Sequence, residues 1–287
     1  LSEQAARAQF DRPVFIVSSP RAGSSMLFLS LAQAPGAFTI GGESHQLIEG
    51  VPGLHPFQRG WTSNRLTAED ATAPIAEELA RRFHANLRDR DGVAPTGRVR
   101  LIEKTPKNSL RVPFLDRIFP DAQFVYLYRD PRETLASMIE AWTSGRFRTY
   151  PRLPGWRGLP WSLLLTPGWR DLNGLALPEI VARQWAATTD VLLADLAMLA
   201  PGRVHAIDYA AVTATPAKAM RALANAVGLV WDRAVATLPL SPTVVSVPRA
   251  DKWRDRAEEI EGVLPVIAEP AAAARAILGR HDVVQER

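Results

Sequence analysis

The sequence predicts an α/β fold: a three-layer sandwich with a central parallel sheet flanked by helices. Three observations carry this. Apolar strand-like runs alternate with helical patterns along most of the chain. The run Val14-Phe-Ile-Val-Ser18 leads through a short basic, glycine-containing loop into a helix beginning near Ser24. A second run, Gln123-Phe-Val-Tyr-Leu-Tyr128, leads through Arg129-Asp130 into another helix. Strands this uniformly apolar belong to a sheet covered on both faces.

Between those two units, a long polar helix is predicted over Ala68 to Arg88, with Thr67 as N-cap and acidic residues in its first turn. Val99 to Glu103 reads as a strand and Leu110 to Phe119 as a helix. Pro131 suits the first position of the helix after the Gln123 strand, which places Leu135, Met138, Ile139 and Trp142 on one face. From Thr143 to Leu177 periodicity disappears and Pro, Gly, Trp and Arg dominate. A loop of that length in a compact domain is functional or mobile. Trp156, Trp161 and Trp169, interleaved with Leu163, Leu164 and Leu165, read as an apolar lid over an acceptor, as ordinary packing, or as a homodimer contact. Helix returns over Pro178 to Leu199, then a strand at Val204 to Ile207 and a helix at Pro216 to Val227. The last part, from Ser241, holds a loop through Lys252-Trp253 and an Ala-rich terminal helix. Nothing marks a domain boundary, so residues 1–287 read as a single domain with an insertion at about 143–177.

Composition narrows the chemistry. With 34 basic and 30 acidic residues spread along the chain, the net charge of +4 marks no nucleic-acid tail and suits an acidic small molecule. There is no cysteine, which excludes disulfides, thiolate metal sites and thiol nucleophiles. No carboxylate and histidine spacing suggests a metal site. No apolar run approaches transmembrane length, and Leu1 to Phe10 lacks the charged head and apolar core of a signal peptide. A cytoplasmic location is the expectation, with the start at Leu rather than Met leaving room for a removed upstream segment.

The loop Ser19-Pro-Arg-Ala-Gly-Ser-Ser25 reads as an anion cradle. Backbone N–H groups at a helix start, the Ser24 and Ser25 hydroxyls and the Arg21 guanidinium can converge on one phosphate. An ordinary strand-to-helix turn is the competing reading. The loop lacks the Gly-Lys-Ser/Thr of a nucleoside-triphosphate P-loop, and Gly-x-Gly-x-x-Gly is absent too. Arg129, at the carboxyl end of a strand, and Ser137, two turns into the next helix, form a second basic turn. Parallel sheets put ligands at that edge, so two such turns suggest a ligand with two separated phosphate-like groups.

On these residues the chain resembles the PAPS-dependent sulfotransferases, over most of its length and closest to the bacterial and tyrosylprotein-type branch. Pro20-Arg-Ala-Gly-Ser-Ser25 is similar to their 5′-phosphosulfate loop, with Ala22 where serine is frequent. Arg129 to Ser137 is similar to their 3′-phosphate motif, and Glu103-Lys-Thr-Pro-Lys-Asn108 and Phe119-Pro-Asp-Ala122 match further blocks. Asp208-Tyr209 resembles a later segment, and Lys252-Trp253 the nucleotide-covering loop, although Asp251 stands where serine is common. The resemblance implies a P-loop-containing sulfotransferase-like fold and transfer of a sulfuryl group from PAPS, without a metal, to a hydroxyl (less readily an amine) of a small-molecule, lipid or glycan acceptor, releasing PAP. Arg21, Ala22, Gly23, Ser24, Ser25, Arg129, Ser137, Lys252 and Trp253 would hold the nucleotide. Glu43, in Thr39-Ile-Gly-Gly-Glu-Ser-His45, is the favoured base, with His45 and His55 as rivals, and Lys104 is the cation for the leaving oxygen. A kinase using ATP and a non-catalytic nucleotide-binding module are the alternatives.

Overall fold

The computed structural model describes residues 8–234, 237–240, 244–247 and 249–284. Most of the leader reading (residues 1–7) and parts of the C-terminal loop reading (241–243 and 248) lie outside the described residues. In chain order the strands are β1 (Val14–Val17), β2 (Ala37–Phe38), β3 (Arg100–Lys104), β4 (Gln123–Tyr128), β5 (Arg148–Tyr150), β6 (Trp161–Ser162) and β7 (Val204–Asp208). The helices are α1 (Ser24–Leu31), α2 (His45–Glu49), α3 (Ala73–Asn86), α4 (Val112–Ile118), α5 (Pro131–Ser144), α6 (Leu177–Ala197), α7 (Tyr209–Ala214), α8 (Pro216–Ala226) and α9 (Ala257–His281).

Five strands form one parallel sheet in the order β2-β3-β1-β4-β7, with Val14 opposite Ile102 on one side and Gln123 on the other. Alternation along β1 sends successive side chains to opposite faces. Val14 and Ile16 join Ile102, Val125 and Leu127 against Leu27 and Leu31 of α1 and Met220 and Leu223 of α8. Phe15 and Val17 join Leu101, Phe124 and Tyr126 against Phe83, Phe114, Leu192 and Ile277, carried by α3, α4, α6 and α9. These are the two helical layers of the predicted sandwich.

The strand order also sets where a ligand goes. From β1 the chain runs on toward β2, on one flank of the sheet; from β4 it runs on toward β7, on the other. Adjacent strands whose onward connections diverge leave a crevice at their carboxyl ends. Both basic turns, Ser19–Gly23 and Arg129–Asp130, open into that crevice.

Three expectations need correction. The Ala68–Arg88 helix begins only at Ala73, because Thr67 and Asp70 form a capping box around a short 3-10 turn, and Pro74 marks the true start. The Leu110–Phe119 helix is split into a 3-10 turn over Pro106–Leu110 and α4. In the 143–177 segment Leu163 and Leu164 line the cavity described below, while the tryptophans pack against one another. Trp161 and Trp169 are fully buried and pack with Trp142, Trp156 and Trp185 into a third core between α5, α6 and the β5–β6 hairpin. Finally, Lys252–His281 is, by length and composition, long and apolar enough to cross a membrane, with a mean hydropathy of 1.3. In the structure its Ile267, Ala274, Ile277 and Leu278 are buried, and the helix packs on α6 and β7.

Candidate active site

The first basic turn is a left-handed backbone cradle. Arg21 and Gly23 both have positive φ, at 67° and 101°. Alternating the hand of the backbone in this way turns successive N–H groups toward one concavity. Gly23 is the N-cap of α1 and has no side chain to cap the Ser24 and Ser25 N–H groups. They remain available to an anion at the positive end of the helix. Glycine is needed at position 23 for a second reason: a Cβ there would lie 2.6 Å from Cε2 of Tyr209. Ala22 points inward and is fully buried, so it shapes the turn and presents no side chain to a ligand.

The second turn meets the first. Arg129 Nη1 donates to the Arg21 carbonyl at 3.0 Å, and Arg21 Nε donates to Ser137 Oγ at 3.4 Å. The Arg129 guanidinium stacks 4.5 Å over the Tyr209 ring and pairs with Glu133 at 3.3 Å, while Arg21 stacks 4.5 Å over Phe147. Burial lowers the pKa of Arg21 against the attraction of nearby Glu140. Motifs more than a hundred residues apart thus become one cationic wall.

That wall belongs to a cavity of about 940 Å³, lined by Arg21, Gly23, Ser24, Ser25, Arg129 and Ser137 at one end and by Glu43, His45, Lys107 and Tyr150 among others. Lys252 also lines it, held by Glu140 at 2.7 Å and by Ser246. Trp253 lines a smaller, adjoining cavity that shares Arg129, Glu133, Tyr209 and Arg249 with the first, and the Arg132 guanidinium lies 5.4 Å over its ring.

Glu43 and Lys104 are in contact: Lys104 Nζ donates to Glu43 Oε1 at 2.6 Å. Lys104, at the end of β3, is 6% exposed at its side chain and sits behind Glu43, which is 36% exposed and lines the cavity. His45 Nδ1 lies 3.8 Å from Glu43 Oε2. Burial first, then the charge of Lys107, lowers the pKa of His45, so it is predominantly neutral at pH 7. His55 also lines the cavity, but its Nδ1 accepts the Phe57 N–H and caps a 3-10 turn.

Two polar clusters beside these residues escaped the sequence reading. Glu49 binds Lys107 Nζ through both oxygens, at 2.9 and 2.8 Å, and Arg111 Nη2 at 2.6 Å, with Asn64 at 3.1 Å. Burial would raise the Glu49 carboxyl, but Arg111 and Lys107 together hold it below its usual value. For Lys107 burial outweighs the attraction of Glu49 and lowers the ammonium. One carboxylate shared by two cations gains more than either cation does. The second cluster surrounds Glu103, which is fully buried and raised by desolvation, against hydrogen bonds from Thr105, Ser44 and Asn108. Lys107, Glu103 and Asn108 lie in the Glu-Lys-Thr-Pro-Lys-Asn block. Their partners Ser44 and Glu49 carry no local signal.

The sulfotransferase family model matches residues 13–158, just over half of the chain and the part that holds both basic turns, Glu43 and Lys104. The chain belongs to the sulfotransferase family. A Caenorhabditis briggsae protein named "Putative protein-tyrosine sulfotransferase" is 27% identical over 134 residues, 46% of this chain and 45% of its own length. A Caenorhabditis elegans protein of the same name is 29% identical over 91 residues, 31% of this chain and 34% of its own length. The chain thus spans less than half the length of the curated relatives it matches. Among solved structures, a sulfotransferase from Alicyclobacillus acidocaldarius superposes with a TM-score of 0.51 at 18% identity, covering 94% of this chain and 96% of its own. Sulfotransferase STF1 from Mycobacterium tuberculosis gives 0.51 at 14%, covering 94% and 81%. These two likenesses concern the fold.

Proposed function

We propose that the chain transfers the sulfuryl group of PAPS to a hydroxyl of a small-molecule, lipid or glycan acceptor and releases PAP. The observation that carries this reading is the direct junction of the two basic turns, Arg129 on the Arg21 carbonyl, in one cavity that Glu43 also lines, with Lys104 bonded to Glu43 from behind the wall. The cradle over Arg21 to Ser25 suits the 5′-phosphosulfate end, and Arg129 with Ser137 suits the 3′-phosphate. Lys252, released from Glu140, would add a further cation.

In the transfer, the acceptor oxygen attacks sulfur in line, and the bond from sulfur to the bridging phosphate oxygen breaks. Negative charge builds on that bridging oxygen. Glu43 takes the acceptor proton. Once protonated it no longer holds the Lys104 charge, which becomes available to the leaving oxygen at the moment that oxygen needs it. Arg21 and the first N–H groups of α1 supply fixed stabilisation from the other side.

The test is PAP release from PAPS in EDTA against phenols, aliphatic alcohols, glycans and lipids, with ATP and magnesium as the control donor in a parallel assay. Glu43→Ala and Lys104→Ala are each expected to lower kcat by about a hundredfold or more while PAP still raises the melting temperature. Near-wild-type rates in both variants, or transfer from ATP, would overturn the reading.

A further inference from the structure

Glu43 follows Gly41 and Gly42, which are solvent-exposed and, at Gly41, in the left-handed region. On that side the tie is local and exposed: the Gly41 N–H donates to Thr39 Oγ1 at 3.1 Å. The fixed point lies one residue later. Ser44 is fully buried; its N–H donates to Thr105 Oγ1 at 2.7 Å and its hydroxyl donates to Glu103 Oε1 at 2.7 Å. Thr105 Oγ1 donates to the same Glu103 oxygen at 2.5 Å, and Asn108 Nδ2 donates to Glu103 Oε2 at 2.7 Å. All four residues are at most 1% exposed.

Two features make this more than a satisfied polar core. Ser44 is the N-cap residue of α2, yet its side chain makes no capping hydrogen bond. A serine at that position ordinarily accepts from the helix N-terminus, worth about 1 kcal/mol; here the hydroxyl is turned to Glu103 instead. The pairing is also consecutive on both segments: Glu43 holds Lys104 and Ser44 holds Glu103. Neighbouring residues of a strand point to opposite faces, so the loop straddles the end of β3, gripping it once on each side.

We infer that Glu103, with Thr105 and Asn108, is the positioning group of the reaction: by fixing Ser44 it holds Glu43 against Lys104 at the cavity wall. Glu103 touches neither donor nor acceptor and acts through Glu43. The inference rests on the reading of Glu43 as proton acceptor.

Thr105→Val tests it, because the change keeps the shape of the side chain while removing the acceptor of the Ser44 N–H and one donor to Glu103. Hydrogen exchange at residues 41–45 should speed up about tenfold or more, and kcat should fall by about tenfold or more with PAP affinity within about twofold of wild type. Thr105→Ser should restore both. In the Glu43→Ala background, Thr105→Val should lower the residual rate by no more than about twofold, since the residue it serves is gone. Unchanged exchange at 41–45, an unchanged kcat, or an equal fall in the Glu43→Ala background would each overturn the positioning role. Failure of the proposed function reads differently. The wild-type chain would then turn over no PAPS, or Glu43→Ala would keep the full rate, while exchange at 41–45 still responded to Thr105→Val; the cluster would be a structural tie only.

Discussion

Gly23 carries two demands at once, a left-handed backbone and a ring at closest approach. Gly23→Ala puts a methyl group at 2.6 and 2.7 Å from Tyr209 Cε2 and Cδ2 and forces alanine to φ 101°. Because Tyr209 also supports Arg129, the damage reaches both basic turns. The variant should lose about 1–3 kcal/mol of stability and most of its melting shift with PAP, measured together by thermal unfolding. Glu49 makes a different kind of demand. Its folded pKa lies below the unfolded value, so its contribution is present above about pH 4.3 and is lost as pH falls through the lower folded value. Glu49→Gln removes the carboxylate that Lys107 and Arg111 share and leaves the two cations facing each other. It should cost about 3 kcal/mol at pH 7 and flatten the acid limb of a stability against pH curve recorded by denaturant unfolding. An acid limb as steep as wild type would show that other groups carry it.

At the scale of elements, the two strand-loop-helix units were legible because local chemistry and tertiary role agree. β4 runs from Gln123 to Tyr128 as its apolar pattern predicts, and α5 starts at Pro131 with Asp130 capping through the Arg132 N–H. Where local signals are ambiguous, tertiary packing decides the outcome. Thr67 and Asp70 look like a helix start and make only a 3-10 turn. The Pro-Gly-Trp-Arg segment has no periodicity, so nothing in it shows which residues pack on α5 and α6, as Trp161 and Trp169 do, and which face the cavity, as Leu163 and Leu164 do. The candidate site divides in the same way. The residues within motifs, Arg21, Arg129, Ser137 and Lys104, were legible, whereas Ser44 and Glu103 lie 59 residues apart and Glu49 and Lys107 lie 58 apart. Only the sheet brings those pairs together. Trp161→Ala should therefore cost about 3–5 kcal/mol of stability with little change in acceptor preference. Leu163→Ala, which alters the cavity wall itself, should change acceptor KM more than stability, as read by steady-state kinetics beside a melting curve.

The whole molecule is organised around the divergence of β1 and β4. The sheet order opens a crevice there, and the chain fills its rim with Arg21, Arg129, Arg146, Arg249 and Lys252 against Glu133 and Glu140. Cations in excess at one end of a cavity favour a polyanionic ligand and make its affinity fall with added salt. The proposed function differs from a generic nucleotide site in assigning a second phosphate to Arg129 and Ser137. The most direct measurement is calorimetric titration in EDTA of PAP and of ADP, which lacks the 3′-phosphate. PAP should bind about ten- to hundredfold tighter than ADP, with Arg129→Ala removing most of the difference. Equal affinities for the two nucleotides, or binding that requires magnesium, would contradict the proposed function.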